Sequence, residues 1–294
     1  MTFMRDEKIT FSFGQNWKDF LDRKLDDQQV RTAQEQTRAL LKVRDLQSMT
    51  FLDIGCGSGL FSYVAHTLGA QSITSLDVDP LSVECCRYMK QHAGNPAAWD
   101  ILHGSILDDA FVRTLPKADV VYSWGVLHHT GDMWRAIRNA ASLINPGGRF
   151  AIAIYNKVEF DTLRSWRGSY KWLRIKRAYN RASPPVKRLM EVGLASKSIA
   201  ASLLQLRNPI KEIRAYKQKR GMNWWYDKID WLGGYPYEFA SAGEIFSFCH
   251  DELGLTLDRL QTARATGCHE FLFLAPPARA AQSVPATTEH VSAA

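Results

Sequence analysis

Long apolar runs are missing from this 294-residue chain. No stretch approaches the roughly 20 hydrophobic residues that a bilayer-spanning helix needs. The opening MTFMRDEKITFSFG sets charges where a secretory leader would need an apolar core. The expectation is a soluble, cytoplasmic protein with no transmembrane segment. Cysteine is sparse and odd in number: the 5 thiols are Cys56, Cys85, Cys86, Cys249 and Cys268, with no C-x-x-C pair among them. That argues against a disulfide framework or a zinc site and leaves reduced, buried thiols.

Uniform charge is lacking as well. The net charge is +7, yet the segment from Lys157 to Met222 holds 17 Lys and Arg against 4 Asp and Glu, a local balance of +13. The remainder, +7 minus +13, is about −6. The basic character belongs to one segment.

What is present is an alternation. An amphipathic helical pattern runs from Trp17 to about Ser48. Short β-type runs follow at Thr50–Ile54, Ser72–Leu76, Ala98–His103, Asp119–Ser123 and Arg149–Tyr155. Helical stretches separate them, reaching to about Gly69, from Pro80 to about His92, and from Asp132 to Leu143. Strands alternating with helices at this spacing predict a doubly wound, mostly parallel sheet. After Asn156 the rhythm stops for a basic, helix-prone stretch punctuated by Pro184-Pro185 and Pro209. It resumes with a helix from Ser241 and β-type runs at Thr256–Leu260 and His269–Ala275. The expected organisation is an N-terminal lid and helix (1–48), a ligand-binding core (49–156), a basic helical insertion with an aromatic loop (157–240), and a closing helix and strands (241–276). A disordered tail rich in Ala, Pro, Ser and Thr (277–294) completes it.

Phe51-Leu52-Asp53-Ile54-Gly55-Cys56-Gly57-Ser58-Gly59 reads as a strand entering a glycine turn that opens a helix. The dinucleotide spacing G-x-G-x-x-G fails, because Leu60 stands at its third glycine. Asp53 separates ligands further. A carboxylate ~4 Å from a pyrophosphate would be repelled by about 4 kcal/mol at an effective dielectric of 20. A ligand carrying an ammonium and a sulfonium would be favoured. Asp77, at the end of the second strand and 20 residues beyond Gly57, is placed to take both hydroxyls of a ribose. Asp79 is placed to cap the helix that begins at Pro80.

These segments resemble, in order, the motifs of the class I S-adenosylmethionine (SAM)-dependent methyltransferases. DIGCGSG resembles the first motif, SLDVDP the acidic one, and Gly104-Ser105-Ile106 the adenine-contacting loop. SWGVLHHTGDMW (Ser123–Trp134) resembles the fourth-strand motif, and LINPGGRFAIAIYN the turn into the fifth strand. Phe11–Trp17 is similar to a lid segment of some members. The resemblance covers roughly residues 11–156 and the closing strands. It implies a seven-stranded sheet with a helical insertion before the last two strands, and SAM as cofactor. It also implies SAM contacts from Trp17, Asp53, Gly55, Cys56, Gly57, Gly59, Asp77, Val78, Ser105, Ile106, Ser123 and Trp124. Ser105 departs from the acid that many relatives carry there.

Methyl transfer from a sulfonium needs little more than a positioned acceptor and, where required, a base. His128 and His129 follow the fourth strand and are base candidates, or they shape the pocket. The aromatic stretch Asn223–Glu238 either walls an acceptor pocket, with Asp227 as a third catalytic candidate, or pins the insertion onto the sheet. A metal route would need acids and an Asn together. Only Asn156 and Asp161 are nearby, so no metal is expected. The basic insertion admits three readings: a solvated surface, a footprint for an anionic acceptor or a membrane surface, and nucleic-acid binding, which is not favoured because no recognised module is visible. The expected function is methylation of a small molecule at oxygen or nitrogen. RNA or protein methylation and non-catalytic SAM binding are the alternatives.

Overall fold

In the computed structural model the alternation becomes one seven-stranded sheet; the structure describes residues 27–158, 168–220 and 224–278. In chain order the elements of the core are α1 (Asp27–Leu41), β1 (Thr50–Ile54), α2 (Leu60–Thr67), β2 (Ser72–Asp77), α3 (Pro80–His92) and β3 (Trp99–His103). They continue with α4 (Asp109–Val112), β4 (Ala118–Trp124), α5 (Met133–Ala141) and β5 (Ile144–Tyr155). The insertion holds α6 (Ser169–Arg181), α7 (Pro184–Leu204), α8 (Pro209–Arg220) and α9 (Trp224–Gly233). The core closes with α10 (Ala242–Ser247), β6 (Thr256–Gln261) and β7 (Cys268–Leu274).

The strand order is β3-β2-β1-β4-β5-β7-β6. β1 to β5 run parallel, and β7 lies antiparallel between β5 and β6. The chain moves outward from β1 to β3 and returns to β4 on the other side of β1. The carboxyl ends of β1 and β4 therefore flank the switch point where α/β sheets bind ligands. Side chains alternate across the sheet as a period of two requires. Phe51, Val120 and Tyr122 pack with Leu41, Val64 and Met89 on one face. Leu52, Val121 and Ile152 pack with Ile137, Ile245 and Phe273 on the other.

Three expectations about elements change. The first helix ends at Leu41, not near Ser48, because Lys42 takes a left-handed φ of 53° and breaks the helical run. β5 starts at Ile144 rather than Arg149, with an irregularity opposite Ala118 and Val120 that absorbs the Pro-Gly-Gly turn. The aromatic stretch, read as a loop, contains the helix α9. Trp224, Lys228 and Trp231 recur there at helical steps, and Gly233-Gly234 ends the run. The start of the chain with Trp17, the segment 159–167, Asn223 and residues 279–294 lie outside the described residues.

The insertion leaves and rejoins the core at one place. Ala240 N donates to Tyr155 O at 3.0 Å, and Lys157 N donates to Ala240 O at 3.0 Å. Four helices are thereby hung from the carboxyl end of β5, beside the switch point. Among the described residues no helix is long and apolar enough to cross a membrane.

Candidate active site

The glycine turn is built by close packing as much as by conformational freedom. Gly55 has φ +77°, and a Cβ there would sit 2.3 Å from a methyl of Val126, just beyond β4. Gly59 has φ +80°, and its Cβ would sit 2.8 Å from the Cα of Cys86 on α3. These two glycines let β4 and α3 approach the turn. Between them the N–H of Gly57 donates to Asp77 Oδ2 at 3.0 Å. The other oxygen of Asp77 accepts from Asp79 N at 2.9 Å. The acid at the end of β2 thus clasps the glycine turn while remaining only half-buried. Burial raises its pKa, and backbone donors at Asp79 and Gly57 oppose that rise. Asp79 caps α3 as expected, accepting from Leu81 N at 2.9 Å.

Asp53 behaves differently. It is 2% exposed and lies beneath the turn. Ser62 Oγ donates to its Oδ2 at 2.6 Å. Ser75 Oγ, 2.6 Å from Ser62 Oγ, must then donate to Ser62, and Trp99 Nε1 donates to Ser75 at 2.8 Å. Four buried polar groups form one directed chain that ends on the carboxyl. Burial pushes the pKa of Asp53 up to about 7, so near neutrality its charge is only partial. The acid facing the site is Asp77, and Asp53 braces the start of α2 from below.

Other predicted cofactor residues divide in the same way. The Cys56 thiol packs against Cys86, and Ser123 Oγ donates to Ile54 O at 2.9 Å. The Ile106 side chain joins the core. These three can reach a ligand only through their backbones. Val78 is 66% exposed, and Trp124 is exposed, with Nε1 donating to Glu270 at 3.2 Å. A Cβ on Gly125, next to Trp124, would meet nothing within 4 Å. Ser105 Oγ accepts from Leu107 N at 3.1 Å and stays half-buried in the loop after β3. Around the switch point, then, stand an acid, the glycine turn, and exposed apolar surface on both sides.

The histidine pair separates sharply. His128 is fully buried, and its Nδ1 accepts from Tyr155 N at 3.3 Å. That places its proton on Nε2, which has no hydrogen-bond partner among the described residues. Burial, His129 and Lys176 hold its pKa well below the usual histidine range. The accepting nitrogen of His128 is thus committed to the backbone of β5. The half-buried His129 donates from Nδ1 to Pro236 O at 2.6 Å, which puts its lone pair on Nε2. Its pKa is pushed down to about 3, by burial first and by Lys176 second, so it is neutral throughout the physiological range.

Tyr155, at the end of β5, joins this pair to the insertion. Its ring lies 3.9 Å from His128, 5.4 Å from His129, 5.2 Å from Tyr237 and 5.8 Å from Trp231, centroid to centroid. Behind them Lys176 of α6 is fully buried. It donates to Trp231 O and sits 4.5 Å from the Trp231 ring centroid and 4.8 Å from that of Tyr237. Burial lowers its pKa to about 7, against the pull of Asp230. Asp227 accepts from Tyr216 OH at 2.7 Å and lies 3.9 Å from Lys228 Nζ. Its charge reaches Tyr155 only at a distance, so the visible partners of Asp227 belong to the packing of α8 on α9. Among the described residues no three His, Cys, Asp or Glu side chains group as a metal site.

Sequence reasoning missed Tyr155, Val126 and the burial of Lys176. A signal for the last existed. Trp172, Lys176 and Tyr179 fall at i, i+4 and i+7, one helical face, whereas a solvated lysine would be free of such company.

Comparison with known proteins gives a consistent picture. Residues 52–150 match a family model described as a methyltransferase domain. The chain is 32% identical over 121 residues to a ubiquinone biosynthesis O-methyltransferase of Methylobacterium nodulans, covering 41% of this chain and 45% of that protein. It is 30% identical over 113 residues to one of the same name from Xanthomonas euvesicatoria, covering 38% and 46%. The chain thus spans about half the length of the curated relatives it matches. In fold it is similar to magnesium protoporphyrin IX methyltransferase from Synechocystis, with a TM-score of 0.50 at 14% identity over 90% of this chain and 96% of that one. At that identity the likeness concerns the fold alone.

Proposed function

We propose that this chain is a class I SAM-dependent methyltransferase that transfers a methyl group from SAM to an oxygen or nitrogen of a small-molecule acceptor. The observation that carries the reading is the clasp of Asp77 on Gly57 at the switch point of the sheet. A half-buried acid with lone pairs still available suits a ribose diol. The partial charge of Asp53 adds to a negative environment that suits an ammonium and a sulfonium and opposes a pyrophosphate. The exposed Val78 suits the flat face of a purine, and the backbone around Ser105 and Ile106 its edge. The residues present therefore fit SAM, which when bound supplies a methyl group on a positively charged sulfur.

His129 and Tyr155 wall the acceptor side in this reading. His129 keeps a neutral imidazole whose proton is held on Nδ1 by Pro236. His129 would serve as the base toward the acceptor's proton, and SAM, when bound, would supply the methyl group. The fixed tautomer and aromatic walls orient the acceptor and exclude water, which is the larger part of the protein's contribution. The relatives' O-methyltransferase names favour oxygen as the accepting atom.

The test is incubation with SAM labelled in its methyl group and fractionated extract, beside Asp77→Ala. Label entering the small-molecule fraction, and lost in the variant, supports the reading. Label in RNA or protein would move the acceptor to a macromolecule. SAM binding without any labelled product would assign the chain to non-catalytic binding.

A further inference from the structure

Helix α7 is amphipathic in the reverse of the usual sense. Its buried residues are Glu191, Ala195 and Ser202. Glu191 accepts from Tyr179 OH at 2.8 Å and pairs with Arg188 at 3.1 Å, while Ser202 donates to Glu212 at 2.6 Å. The face turned to solvent carries Val186, Leu189, Val192, Leu203 and Leu204, all exposed, with Leu189 at 71% and Leu204 at 85%. At 100° per residue these five fall within an arc of about 120°, opposite the buried set. The stripe of aliphatic side chains is thus held at the two ends of the helix, interrupted between Val192 and Leu203 by Gly193, Ser196 and Ala200, with none of the described residues packed over it.

The stripe continues past the end of the helix. Leu206 is 97% exposed and Ile210 is 60% exposed. Leu206 holds φ +54° while its N–H donates to Leu203 O and Arg207 N donates to Ser202 O, each at 2.9 Å. A helix terminus of this form ordinarily takes glycine. A leucine here accepts left-handed backbone strain and full exposure, and gains no packing inside the fold.

Charge identifies what could cover the stripe. Residues 169–220 hold 14 Lys and Arg against 2 acids, a balance of +12. Both acids are already bonded within the insertion, Glu191 as above and Glu212 to Arg207 at 2.8 Å. Lys197 lies at the edge of the stripe, and Lys211 and Arg214 follow the turn. A second copy would bring like charges face to face. Aliphatic side chains edged by cations match a lipid interface with anionic headgroups.

We propose that the outward face of α7 and the Leu204–Ile210 turn dock this protein on an anionic phospholipid surface, lying in the headgroup layer with no segment crossing it. The docking is independent of the methyl-transfer reading and places the insertion, with the acceptor side of the site, next to the bilayer.

The test is co-sedimentation of the full chain with vesicles of phosphatidylcholine mixed with phosphatidylglycerol and with phosphatidylcholine alone, for wild type and for the double variant Leu204→Asp, Leu206→Asp. Both leucines are exposed, so an unchanged circular dichroism spectrum and melting curve are expected of the variant. A second variant, Lys211→Glu with Arg214→Glu, reads the charge. The expected result is salt-sensitive association with the anionic vesicles, weakened about tenfold or more by either variant. Absence of binding to anionic vesicles, or equal binding by the folded leucine variant, would overturn the proposal. So would a solution dimer that the leucine variant dissolves, which would assign the face to a second copy. Binding to RNA but not to vesicles would assign the cations to nucleic acid.

Discussion

His129 donates its Nδ1 proton to the carbonyl of Pro236 at 2.6 Å, so the order of the insertion sets the tautomer of a residue beyond β4. The bond ties the catalytic potential of the core to the return of the inserted helices. His129→Asn should lower kcat by about a hundredfold or more while leaving SAM affinity within about twofold, as expected of a general base. Because the folded pKa is near 3, wild-type kcat should show no histidine inflection between about pH 5 and pH 7. Initial-rate profiles of wild type and variant check both points; an unchanged kcat in the variant would remove His129 from the chemistry.

The same pKa affects stability. The unfolded imidazole takes a proton near 6.5 and the folded one near 3. Between these values the unfolded state binds more protons, so stability is lost as pH falls below about 6.5. Denaturant midpoints of wild type should therefore drop between about pH 6.5 and pH 4, and those of His129→Asn should drop less steeply.

Lys176 acts in the alkaline window. Its folded pKa is about 7 against 10.5 for the free group, so above pH 7 the unfolded state again binds more protons. Stability should rise with pH from 7 toward 10.5. Compared with Lys176→Met, wild type should gain on the order of 3 kcal/mol between about pH 7 and pH 10. Chemical denaturation of both proteins across that range measures the difference. A constant difference would show that the lysine is solvated.

Gly55 and Val126 make a steric prediction. Ala at position 55 must accept φ +77° and a Cβ 2.3 Å from Val126. The combined cost is about 2–4 kcal/mol from backbone strain and overpacking. Val126→Ala in the same chain should return part of that loss, the steric share alone, as a double-mutant cycle of melting curves would show.

The sheet was legible because its strands are short apolar runs bounded by glycine, proline or acidic residues at an α/β spacing. DIGCGSG placed the turn, Asp77 ends the second strand, and Asp79 caps the next helix as expected. Side-chain direction was less legible. Leu52 and Leu76 face the same side of the sheet, yet Asp53 lies one residue inside the end of β1 and meets Ser62 of α2, whereas Asp77 is the last residue of β2 and meets the turn. Ser123 and Cys56 were likewise placed by strand and turn, but their inward orientation depends on neighbours distant in sequence. The site partners contributed by the insertion, Lys176 and Pro236, come 20 and 80 residues beyond the last motif, which ends at Asn156, where no local pattern fixes the docking.

The most direct measurement of the central claim is a calorimetric titration of SAM into wild type and Asp77→Ala. The account predicts saturable binding to wild type, and a loss of about a hundredfold in the variant as two hydrogen bonds to a charged acceptor disappear. Equal SAM affinity in the two proteins, or wild type that binds a dinucleotide in preference to SAM, would contradict it.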